Sequence, residues 1–293
     1  EFTHYVTRTL LGYRKLFIWL IVFYTVTMLL LGGITNQETY AQISDLMRQS
    51  SQSLTEGGVD KLGQAGLLLL ATVAGGNSEV SVDQQIYLAF MLLMIWLTTV
   101  WLLRELLLGR KPKLRDGLYN AGAPIISTLI VVLVLLVQLL PVGLVALAYA
   151  GLGSIGLIDE GFGAMLFWTV ASVVIALAFY WATSTLLALV VVTLPGMYPL
   201  KAVSAASDLV LGRRLRILYR WLWAIVTVLL FWVVVMVPII LLEGWLKDTW
   251  KQLADLPVIP VVVACMSSIS VVWFAAYIYL LYRKVIDDDA KPA

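Results

Sequence analysis

The chain has little of what enzymes and metalloproteins use for chemistry. Its 293 residues include one cysteine, Cys265, and one histidine, His4. One cysteine excludes an intrachain disulfide and a thiolate metal cluster, and one histidine equips the chain poorly for a zinc site or a Ser-His-Asp triad. The sequence contains neither a G-x-x-x-x-G-K-[ST] phosphate loop nor an H-E-x-x-H motif. We therefore expect no catalytic residues, no metal and no cofactor.

Charge is also scarce. Only 13% of the residues are charged and 61% are apolar, against about 25% and 45–50% in soluble domains. Six apolar stretches reach the roughly 20 residues that a membrane-spanning helix needs. They are residues 16–35, 86–108, 124–150, 161–194, 217–242 and 257–282. The sequence predicts an all-α, polytopic membrane helix bundle of six spans, forming a single transmembrane domain over residues 1–293. No small-residue cleavage site closes the first stretch, so we expect a retained span.

The few basic residues are unevenly distributed between the connections. With the N-terminus inside, 16 of the 20 Lys and Arg residues fall on inner segments and four on outer ones. The loop over residues 109–120 carries four of the inner residues between two apolar stretches. Because positive charge near span ends marks the cytoplasmic side, the pattern predicts that both termini lie inside.

Several connections predict helices at the membrane surface. We expect residues 36–85 to form a small outer helical cap and residues 243–256 a separate outer amphipathic helix, either a lid or an interfacial connector. On the inner side, Pro199 suits the start of a short helix and Gly212 its end. A similar order of basic amphipathic helix, span, outer connection and return span begins near Tyr5, Lys113 and Tyr198. We hypothesise a threefold internal repeat.

Basic residues on the inner side are candidates for binding anionic lipid headgroups. Membrane orientation alone also accounts for their charge. Arg104 either anchors its helix at the interface or contacts lipid phosphate, and Glu105 has the option of a basic partner on a neighbouring helix. Base-stacking aromatics are not interleaved with these charges, so nucleic-acid binding is not expected. The headgroup candidates are Arg104, Arg110, Lys111, Lys113, Arg115, Arg213, Arg214 and Arg216.

The middles of the six stretches contain no Asp, Glu, Lys, Arg or His. This argues against a proton-coupled transporter with a carboxylate relay. Gln138 is the one deep amide, and small polar clusters lie at residues 183–185 and at Ser267 and Ser268. These groups either join packed helices or line a polar pathway. The candidate intramembrane polar contacts are Gln138, Thr183, Ser184, Ser267 and Ser268.

A short segment resembles a known family. Ala202-Val203, Leu209 and Gly212-Arg213 match the pattern Ala-Leu-x-x-Ser-x-x-Leu-x-x-Gly-Arg/Lys, with Ala206 at the serine position. The pattern is similar to that of membrane domains associated with glycerophosphodiester phosphodiesterases and of related uncharacterised bacterial six-span proteins. The resemblance implies a membrane domain without catalytic residues, because the family's chemistry belongs to a separate soluble barrel.

Three functions fit these features. The first is a non-enzymatic membrane-embedded subunit or scaffold in transport, secretion or envelope assembly. The second is a lipid-binding or lipid-handling protein, and the third an uncoupled small-molecule facilitator. The expected partners are membrane lipids, with anionic lipid at the inner face, and a protein partner or a second copy of the chain. The expected location is the plasma membrane of a bacterial cell.

Overall fold

The structure is a computed structural model that describes residues 2–30, 82–154, 161–249 and 258–289. The outer cap predicted over residues 36–85 therefore lies almost entirely outside the described residues. Within the described ranges every regular element of secondary structure is a helix, and turns connect the helices. The all-α prediction is confirmed for this part of the chain.

Nine helices form in the described ranges. They are α1 (Phe2–Gly12), α2 (Arg14–Met28), α3 (Val82–Leu107), α4 (Leu114–Ala121), α5 (Ile125–Ser154), α6 (Phe162–Val191), α7 (Pro199–Val210), α8 (Arg214–Thr249) and α9 (Val258–Asp289). Five of them, α3, α5, α6, α8 and α9, are long and apolar enough to cross a membrane. The pair α1 and α2, bent by 88° at their junction, also qualifies if it is counted as one broken span.

Two helices extend seven residues past their predicted ends. The fifth span was predicted to end at residue 242, before a separate helix, but α8 continues without a break to Thr249. Helix α9 runs to Asp289, seven residues past the predicted end at 282. The loss of apolar character does not end a helix where no proline or capping residue stops it. The prediction of a separate helix beginning at residue 243 is therefore wrong.

The order of the helices agrees with the threefold repeat. Among the described helices, a short helix, a longer helix and a return helix come in this order three times, as α1–α2–α3, α4–α5–α6 and α7–α8–α9. Each return helix also contains a four-residue segment in which a tryptophan is followed by any residue and then by two small residues. These segments are residues 96–99, 181–184 and 273–276, with sequences WLTT, WATS and WFAA.

The chain divides into two compact units. Unit 1 comprises Glu1–Thr7, Leu97–Val226 and Phe274–Ala293, and unit 2 comprises Arg8–Trp96 and Thr227–Trp273. In unit 1, the return helices supply the core, with unbroken buried runs at residues 182–192 of α6 and its end and 275–282 of α9. The small residues in these runs let neighbouring helices approach closely. The hydroxyl of Tyr277 donates to the backbone oxygen of Arg220 at 2.9 Å and so joins α9 to α8.

The short helices of unit 1 each bury one narrow face. Helix α7 buries Ala202, Ala206 and Val210, which are four residues apart, and packs against α6. Helix α4 buries Gly117 and Ala121. This spacing places the buried residues on one stripe of each helix and leaves the opposite stripe exposed.

Unit 2 has its own buried contacts. Helix α2 buries Leu20, Tyr24 and Met28. Ser268 of α9 donates to the backbone oxygen of Ala264 at 3.0 Å and lies 3.8 Å from the Met28 sulfur. The indole N–H of Trp232 donates to the Ser270 hydroxyl at 2.8 Å, which joins α8 to α9.

Candidate functional site

The deep amide joins two helices. The hydroxyl of Thr185 on α6 donates to the side-chain oxygen of Gln138 on α5 at 2.7 Å. Thr185 is fully buried. The sequence left two roles open for Gln138, a contact between helices and a polar pathway. The structure contains the contact between helices.

The other predicted polar residues bond within their own helices. Thr183 donates to the backbone oxygen of Phe179 at 2.8 Å, and Ser184 donates to that of Trp181 at 3.0 Å. Ser268 bonds to its own helix in the same way, with the half-buried Ser267 beside it. Thr183 and Ser184 belong to unit 1, whereas Ser267 and Ser268 belong to unit 2. Neither unit by itself gathers these residues into one polar cluster.

Two of the predicted headgroup residues are held by contacts within the protein. Arg104 donates from Nη1 to the backbone oxygen of Thr193 at 3.1 Å, just past the end of α6. A cation is stabilised there by the negative end of the helix dipole. Glu105 is paired with Arg110, whose Nη1 lies 2.8 Å from its Oε2, and lies 3.9 Å from the Arg104 Nε. The partner of Glu105 is therefore in the following turn.

The remaining headgroup candidates differ in how far they are engaged. Arg214 donates from Nη2 to the Ser207 hydroxyl at 2.8 Å and lies 5.2 Å from the centre of the Tyr180 ring. Arg213 is half-buried. Arg115 is almost fully exposed, 3.9 Å from an Asp116 carboxylate oxygen. Among these candidates, the exposed cations without an ion pair to any described residue are Lys111, Lys113 and Arg216.

Each of the short helices has an exposed tyrosine at or near it. These are Tyr5 in α1, Tyr119 in α4 and Tyr198 directly before α7. The ammonium of Lys201 lies 5.8 Å from the centre of the Tyr198 ring. Tyrosine is enriched where a membrane meets water, because its ring is apolar and its hydroxyl is polar.

An open groove of about 460 Å³ lies in unit 1 between the end of α6, helix α7 and the last turns of α9. Ala205, Asp208 and Leu209 of α7 line this groove, beside the buried stripe of Ala202, Ala206 and Val210. The carboxylate of Asp208 is exposed and forms no ion pair with the described residues. The groove is lined by Val191, Leu194, Met197, Ala205, Asp208, Leu209, Tyr282 and Ile286.

We name these eight residues the α7 groove. Sequence reasoning missed it, because the eight residues come from three separate segments and seven of them are ordinary apolar residues. The one local signal was the spacing of Ala205, Asp208 and Leu209. Asp208 and Leu209 follow Ala205 by three and four positions, so the Asp208 carboxylate lies on the same side of α7 as two apolar side chains.

A second exposed apolar surface lies along α5. Only 6% of its span is buried, and six of its leucines are 54–70% exposed. Their spacing of four, three, four, four and three residues is close to the seven-residue repeat by which paired helices interlock. We name this surface the α5 leucine face. It consists of Leu129, Leu133, Leu136, Leu140, Leu144 and Leu147.

Comparison with protein-family models, curated proteins and solved structures finds no match to this chain. The resemblance of residues 202–213 to phosphodiesterase-associated membrane domains stays a prediction from sequence.

Proposed function

We propose that the chain is a non-enzymatic, six-span protein of the bacterial plasma membrane, with both termini inside. In this proposal α2 belongs to the first span, α1 lies at the inner membrane surface before it, and the protein is a membrane-embedded subunit or scaffold in transport, secretion or envelope assembly. The proposed topology rests on the distribution of 16 of 20 basic residues to one side. The tyrosines at the short helices support an interfacial position for those helices. The resemblance of residues 202–213 points to the same class of membrane domain.

The α5 leucine face is the observation that carries the proposal. Apolar side chains gain little by leaving lipid for another apolar surface, so exposure alone does not require a protein partner. The regular leucine spacing is what favours one, because a repeat near 3.5 residues keeps one stripe of a helix against a partner crossing at about 20°. A subunit that packs against a further membrane helix presents such a stripe.

Replacing two leucines of this face tests the proposal. Leu133→Ala with Leu140→Ala removes large side chains one heptad apart from the α5 leucine face. We expect the complex formed by the full chain, measured by native mass spectrometry after purification in lipid nanodiscs, to lose its partner polypeptide or second copy. The matched control is Val170→Ala with Val173→Ala, which shortens two exposed residues of α6 and leaves the complex intact.

The same measurement separates the lipid-handling alternative. Lys111, Lys113 and Arg216 are exposed cations that suit anionic headgroups. A particle that contains one chain and retained anionic lipid, with no other polypeptide in either variant, would contradict the subunit proposal. That result would favour lipid handling instead.

A further inference from the structure

We infer that the α7 groove binds an amphipathic helix of a partner protein, with a Lys or Arg of that helix paired to Asp208. This inference rests on the proposed role as a subunit or scaffold. The α7 groove is a second binding surface, separate in sequence from the α5 leucine face, and its partner is a basic amphipathic helix.

The shape of the groove favours a helix over a small molecule. Pockets for small molecules enclose most of the ligand surface, whereas this groove is largely open. Its volume of about 460 Å³ accommodates a few side chains. Recognition of a helix in a groove uses such a surface, since apolar residues three or four positions apart enter it together. Met197 adds an adaptable wall, because its unbranched side chain fits partners of different shape.

The position of the groove along α9 favours an interfacial helix over a lipid tail. Between two of the lining residues, Tyr282 and Ile286, the chain carries Arg283 and Lys284. Basic residues at the end of a span mark the headgroup level. Four residues of helix advance about 6 Å, so the groove extends from this level away from the hydrocarbon core. Amphipathic helices that lie along a membrane surface occupy this level and are rich in Lys and Arg.

The charge of the groove defines the partner further. Asp208 is an exposed carboxylate among seven apolar lining residues. A carboxylate repels anionic headgroups, which Arg283 and Lys284 would otherwise attract. A Lys or Arg on a docked helix pairs with it away from bulk water, where a charge pair is stronger than at an open surface. The occupant that matches both the apolar walls and the carboxylate is a basic amphipathic helix.

Photo-crosslinking in the full chain tests this inference. A photoreactive phenylalanine analogue replaces Leu209 in the groove, and the chain is irradiated in its own cells. We expect a crosslink to another protein, mapped by mass spectrometry to a segment with apolar residues three or four apart and a nearby Lys or Arg. Asp208→Lys should lower the yield at least about tenfold, whereas Asp208→Glu should retain it. The same probe at exposed Tyr119 should not capture this segment.

Charge reversal provides the decisive step. Exchanging the partner's basic residue for Glu should restore the crosslink to the Asp208→Lys chain. Crosslinks only to lipid, only to a second copy of this chain, or to no polypeptide would overturn the inference, as would a yield that ignores the charge of residue 208. If the crosslink at residue 209 fails but the complex still depends on the α5 leucine face, this inference is wrong and the proposed function is retained.

Discussion

Gly117 lies on the buried face of α4, where the packing leaves no room for a side chain. A β-carbon added there would lie 3.0 Å from both Cγ and Cδ2 of Leu102 and 3.3 Å from Cγ2 of Thr98. Leu102 is itself fully buried, so it has no solvent-exposed space to move into. The contact between α3 and α4 therefore depends on the absence of a side chain at this position.

We expect Gly117→Val to destabilise the protein by about 1–3 kcal/mol, the usual range for overpacking a core. Thermal unfolding in lipid nanodiscs measures the effect. Gly151→Ala on α5 is the control, because nothing lies within 4 Å of the added carbon, and its effect should be stabilising by at most about 1 kcal/mol. Equal midpoints for the two variants would show that α4 does not pack as described.

The contact at Gln138 shows where prediction from sequence stops at this scale. A deep amide in an apolar helix predicts a hydrogen bond to another helix, and the structure contains one. The donor, Thr185, is one of three consecutive hydroxyl residues. Adjacent residues of a helix point about 100° apart, so the rotation of α6 decides which hydroxyl faces α5. Because α6 is apolar around its whole circumference, its sequence does not indicate that rotation.

The junction of α7 and α8 depends on the backbone of one residue. Gly212 has a φ of +74°, a conformation that costs residues with a β-carbon about 1–2 kcal/mol. The turn it forms lets the short helix end and the long helix begin at Arg214. The position of α7, and with it the α7 groove, depends on this turn.

We expect Gly212→Ala to lower stability by about 1–2 kcal/mol, measured by thermal unfolding, and to weaken the crosslink at residue 209. Gly12→Ala is the matched control, because Gly12 ends the corresponding helix of the first repeat with an ordinary φ and open space around it. If the two alanine variants unfold at the same temperature, the turn does not require the positive φ of Gly212.

Elements were predictable where a physical signal marks them. Hydropathy located the five long helices, and Pro199 and Gly212 marked the ends of α7. The end of α8 was placed incorrectly because the apolar stretch stops before the helix does. The α7 groove was not predictable, since it forms only when the ends of α6, α7 and α9 come together.

For the whole molecule, the distribution of basic residues predicts on which side each connection lies. A chain with Cys265→Ser has no cysteine, so single cysteines report their side of the membrane. We expect Tyr119→Cys to react with an impermeant thiol reagent only after the membrane is opened. Ser53→Cys, in the proposed outer connection, should react in intact cells.

If the cysteine at residue 119 reacts in intact cells, the proposed orientation is wrong, because positive charge is expected on the inner side. Reactivity of both cysteines in intact cells would contradict the number of crossings between them.

The threefold order of helices has a consequence for how such a chain can change. Under the proposed topology each repeat enters and leaves the membrane on the same side, because it contributes two crossings. A tandem copy, or the loss of a copy, therefore preserves the sidedness of every later segment. The gene can grow or shrink by whole repeats without inverting the rest of its product. The three Trp-x-small-small segments are the trace that such a history would leave.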